Sequence, residues 1–68
     1  MEPSLQEIKS LLDYLVKHNE DHAGEIMELA ERTRALGNAE AHEHIVTGVG
    51  LLRQSNENLR QALAELEA

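Results

Sequence analysis

The chain has no cysteine, tryptophan or phenylalanine, and only one tyrosine among its 68 residues. Without cysteine there is no disulfide scaffold, no thiolate zinc site and no thiol nucleophile. A single aromatic leaves base stacking and cation–π cages nearly without means. Long apolar runs are also missing. Leu11-Leu12 and Leu51-Leu52 are typical of the longest, far short of a membrane-spanning stretch. The opening Met1-Glu2-Pro3-Ser4 has no apolar segment, so it does not read as a signal peptide. Basic charge is scarce: six Lys and Arg stand against 13 Asp and Glu, a formal charge of −7. An acidic surface repels phosphate backbones and anionic lipid. Neither nucleic acid nor membrane is expected as a partner, and the expected location is cytoplasmic.

What is present is apolar content of 41%, too high for a disordered chain, laid out with a helical period. Leu5, Ile8, Leu12, Leu15, Asn19, His22, Ile26, Leu29, Thr33 and Leu36 follow one another at alternating steps of three and four. That is a heptad seam with three polar interruptions. Ser4-Leu5-Gln6-Glu7 is a capping box, with Pro3 just outside it. Leu36-Gly37-Asn38 is the stop, because Gly37 takes the left-handed conformation without a Cβ penalty. Asn38 can cap a second helix, whose seam reads His42, Ile45, Val49, Leu52, Asn56, Leu59, Leu63, Leu66. Beside it runs a column of small residues at every seventh position: Ala41, Gly48, Ser55 and Ala62. Ala23 and Ala30 are its partial counterpart in the first helix.

The fold class is therefore all-α. One domain, residues 1–68, is predicted as an antiparallel two-helix hairpin with helices over about 4–36 and 39–67. Thr47-Gly48-Val49-Gly50 is the weak point of the second helix, since each glycine costs on the order of 1 kcal/mol against alanine. The period continues in phase across it, which favours one helix. Two helices enclose no core, and Leu11, Val16, Val46 and Leu51 widen the apolar stripes beyond a two-helix seam. The simplest remedy is a homodimer, two hairpins forming a four-helix bundle. A helical protein partner serves equally well physically. The expected interface core is Leu12, Leu15, Ile26, Leu29, Ile45, Val49, Leu52, Leu59 and Leu63.

Chemistry concentrates at mid-height. Folding about Gly37 brings Asn19 level with Asn56 and puts His22 within a turn of both. Asn19, His22 and Asn56 thus form an expected buried polar layer. Such a layer fixes pairing and oligomeric state at some cost in stability. His18 precedes His22 by four residues, so the two imidazoles share a face. An i, i+4 histidine pair is also a common bidentate set for zinc, nickel, cobalt or copper. Glu25 and Glu57 are candidate further ligands or outer acceptors. His42 and His44 stand two apart and do not share a face. Catalysis is not expected: no Glu-x-x-His, HExxH, phosphate-binding glycine loop or Ser/His/Asp set occurs.

Leu15-Val16-Lys17-His18-Asn19-Glu20-Asp21-His22-Ala23, Leu29-Ala30-Glu31, Leu36-Gly37 and Ser55-Asn56-Glu57 resemble a family of small bacterial and archaeal helical-hairpin domains of unassigned function. Its pattern is H-N-x-x-H-A, a Leu-Gly turn and A-N-E in the second helix. This chain departs from it at Ser55, at Gly48 and Gly50, and in the extra His42 and His44. The resemblance implies that His18, Asn19, His22, Asn56 and Glu57 belong together, and it supplies no activity. The expected function is a non-enzymatic helical oligomerisation or protein-interaction module. The alternative is a small metal-binding protein using His18 and His22 with a divalent transition metal.

Overall fold

A computed structural model describes residues 4–68; Pro3, read as lying just outside the capping box, is outside the described residues. Helix α1 spans Leu5–Ala35 and helix α2 spans Ala39–Glu67. The two pack against each other as an antiparallel hairpin about 50 × 18 × 16 Å.

The ends of the helices are set by the residues that signalled them. The Ser4 hydroxyl accepts the Glu7 amide at 3.2 Å and satisfies one of the free donors of the first turn. At the other end Gly37 sits at φ 88°. Its amide donates to the Arg34 carbonyl at 2.9 Å, and the Asn38 amide donates to the Thr33 carbonyl at 3.2 Å. This pair of bonds is the Schellman motif. Asn38 then reverses its role. Its side-chain oxygen accepts the Ala41 amide at 3.1 Å and starts α2. The turn is thus one glycine and one two-faced asparagine. Helix α2 runs unbroken through Gly48 and Gly50.

The hairpin seam differs from the expected one along α1. Among the described residues the buried ones are Val16, Ala23 and Ala30 of α1, with Val49 and Asn56 of α2. Leu12, Asn19, Ile26 and Thr33 flank them half-buried, whereas Leu5, Ile8, Leu15, His22, Leu29 and Leu36 are exposed. The seam has moved one residue along, from the leucine column onto the alanine column. The reason is distance: small side chains let the helix axes approach, so that Asn56 reaches the backbone of α1. Along α2 every expected seam residue, from His42 to Leu66, is buried or half-buried.

The hairpin therefore has two unlike sides. On one, Arg53 lies 3.5 Å from Glu20 across the seam. Helical geometry puts the columns containing Leu15, Leu29, Leu52 and Leu59 on the opposite side. Leu15, Leu29 and Leu51 are 45%, 52% and 62% exposed. No helix among the described residues is long and apolar enough to cross a membrane.

A Cβ built on Gly50 meets nothing within 4 Å, and Gly50 lies on the outer side of α2. Gly50→Ala should raise the stability by up to about 1 kcal/mol through helix propensity alone. Gly37→Ala should lower it by about 1–2 kcal/mol, because the left-handed φ is strained for any residue with a Cβ. Paired thermal melts followed by circular dichroism would read both, with opposite signs of shift.

Candidate functional site

Asn56 is the largest fully buried side chain, at 1% exposure. Its amide donates to the Val16 carbonyl at 3.0 Å, and its oxygen accepts from the Asn19 amide at 3.2 Å. A side chain from α2 thus grips both the backbone and a side chain of α1. Sliding one helix by a single step would break both bonds and bury the unpaired groups, at about 1–3 kcal/mol each. The pair locks the helices in place along their length. Among the described residues no buried side-chain nitrogen or oxygen lacks a partner, so this grip leaves no polar atom orphaned.

His22, expected in the same buried layer, is not part of it within one chain. Its side chain is 49% exposed and points out of the seam beside Asn19. The cause is the one-residue shift that put Ala23 in the seam instead. His22 meets His18 one turn back, with the two Nε2 atoms 2.9 Å apart. The rings stand edge to face, their centroids 4.3 Å apart. Glu25 Oε2 lies 3.4 Å from Nδ1 of His22, on the far side of the ring. Tyr14 stacks on His18 at a centroid distance of 5.5 Å. Tyr14, His18 and His22 thus form a continuous ring ladder at i, i+4 spacing. The tyrosine was not singled out from the sequence, although the spacing was there to be seen.

Of the residues the resemblance grouped together, the structure joins Asn19 to Asn56 and His18 to His22. Glu57 does not join them: it is exposed and lies 3.4 Å from Arg60 on its own helix. Among the described residues no three His, Asp or Glu side chains converge as a metal-holding group. One chain therefore offers two nitrogens, with Glu25 behind one of them. His42 has a different duty. Its Nδ1–H donates to the Ala30 carbonyl at 2.8 Å, which ties the start of α2 to α1 near the turn. His44 is exposed.

No curated protein and no solved structure matches the chain significantly. Residues 8–66 match a family described as a domain of unknown function (DUF8180). That span takes in nearly all of both helices, the turn, the asparagine grip and the histidine pair. The chain belongs to this DUF8180 family, whose match covers nearly the whole of its hairpin.

Proposed function

We propose that the protein is a non-enzymatic oligomerisation module, a hairpin that pairs with a second copy to make a four-helix bundle. The observation that carries this reading is the uncovered apolar side. A compact folded chain of 7.6 kDa exposes about 4,300 Å². This hairpin exposes 5290 Å², an excess of roughly 1,000 Å² over that expectation. A standard protein–protein interface buries about 800 Å² per partner, so one symmetric contact covers most of the excess. The asparagine grip supports the same reading, since it holds the two helices in one fixed alignment and so presents one defined face. Sedimentation equilibrium at micromolar concentration should return about twice the chain mass. A monomer at the highest soluble concentration would overturn the reading.

The histidine pair favours a second reading, a metal-binding module. Two imidazole nitrogens 2.9 Å apart with metal bonds of about 2.0–2.1 Å subtend an angle near 90°. That angle suits square-planar or octahedral nickel and copper, and a modest opening of the rings gives the tetrahedral angle of zinc. A carboxylate behind a ligating histidine is the usual outer partner: it holds the proton on Nδ1 and frees the Nε2 lone pair. Glu25 stands in that position.

A further inference from the structure

The apolar side carries a symmetry of its own. Its outer column on α1 reads Ile8, Leu15, His22, Leu29, Leu36: two apolar residues, a histidine, two apolar residues. Its column on α2 reads Ala41, Gly48, Ser55, Ala62: alanine outside, smaller or polar residues inside. Each column is its own near-palindrome. The centres coincide in height as well. Glu20 meets Arg53 across the seam. Two residues on in α1 and two back in α2, His22 stands level with Leu51, at the middle of the small column. A two-fold axis at this level, perpendicular to the helices, would lay leucine against leucine along α1 and small residue against small residue along α2. The turns of the two hairpins would then point in opposite directions. It would also bring His22 of one copy to His22 of the other.

We propose, resting on the homodimer reading above, that two copies pair in this way and that their His18/His22 pairs together form one four-imidazole site for a divalent transition metal. Each chain supplies two Nε2 donors at 2.9 Å, and no third donor of its own converges on them. The site is incomplete without the second copy, and the second copy is what the face lacks. Glu25 Oε2 lies 3.4 Å from Nδ1 of His22, where a carboxylate favours the proton on Nδ1 and leaves the Nε2 lone pair free. Without metal, His18 then supplies the Nε2 proton that lies between the rings. Metal binding shifts His18 to its other neutral tautomer, with the proton on Nδ1, so that both Nε2 lone pairs face the ion. The polar centre of an otherwise leucine-rich face is thereby filled instead of being left as two imidazole pairs in an apolar contact.

Zinc chloride and nickel chloride, each titrated by calorimetry into the untagged full chain, should bind at one metal per two chains and tighten the dimer at least tenfold by sedimentation. His22→Asn and His18→Ala should each abolish the saturable binding, while His44→Ala leaves it unchanged. The chain has no cysteine, so a single spin label at Glu40→Cys reports the dimer's orientation. Labels on the two copies should lie roughly 35 Å or more apart, from about 1.5 Å per residue to the midpoint and back. One metal per chain, binding that survives His22→Asn, or labels within about 20 Å would each overturn the proposal. A dimer of opposite orientation that ignores both metals would overturn the metal site and leave the oligomerisation module standing. A monomer with and without metal would remove both.

Discussion

Asn56→Asp should unfold most of the protein at neutral pH and lose much of that effect in acid. The substitution keeps the shape and replaces one amide donor by an oxygen. That oxygen would face the Val16 carbonyl now held at 3.0 Å, so attraction becomes repulsion. It also places a charge where the side chain is 1% exposed. An unpaired buried group of this kind costs about 3 kcal/mol or more, against a total of about 3–5 kcal/mol for a core of this size. Burial and the facing carbonyl hold the introduced carboxyl above the ordinary range of an aspartic acid, about 3.9. The folded state therefore binds a proton more readily than the unfolded one, and stability falls as pH rises through that range. Below it the carboxyl is neutral and can donate to Val16 again. Asn56→Ala, which removes the bonds without adding charge, should cost about 1–3 kcal/mol with no such pH dependence. Thermal melts of the two variants and the parent between pH 3 and pH 8 would decide. An aspartate variant that melts within a few degrees of the parent at pH 7 would mean the bond to the Val16 carbonyl is not made.

The helix ends were legible because they depend on residues that touch only their neighbours. Ser4, Glu7, Gly37 and Asn38 cap by local bonds, and local bonds leave a local signature. The α2 seam was legible too, since most of its large apolar residues fall in one stripe and the column beside it, Ala41, Gly48, Ser55 and Ala62, holds only small side chains. Along α1 two adjacent columns were eligible, one of Ile and Leu and one ending in Ala23 and Ala30. Hydrophobicity says which residues avoid water. It does not say whether they avoid it against the same chain or against another. The smaller column won the contact within the chain because it allows the closer approach that the Asn56 grip requires. The larger one was left outside, and His22 with it. Pairing of Asn19 with Asn56 followed from folding the chain about Gly37. The bond from Asn56 to the Val16 carbonyl did not, because a backbone acceptor has no residue-type signal.

Leu29→Glu should turn a dimer of about twice the chain mass into a monomer at roughly 10 µM. In a lone hairpin this change is mild: the side chain is already 52% exposed, and a carboxylate there reaches water freely. In a paired face it is severe, because two-fold symmetry buries two carboxylates at once and each copy pays the desolvation cost. A loss of about 3 kcal/mol across the interface raises the dissociation constant more than a hundredfold. Gln54→Glu is the control. It adds the same charge on the outer side of α2 and should leave the mass unchanged. The proposed antiparallel pairing makes a sharper demand, since it would set position 29 of one copy against position 15 of the other. Leu15→Arg combined with Leu29→Glu in the same chain should then place arginine opposite glutamate twice per dimer and recover part of the lost association. If Leu29→Glu alone sediments as the parent dimer does, the leucine side is not the interface. If it dissociates and the double variant stays a monomer, the leucine side is the interface but the two hairpins do not lie turn to tail.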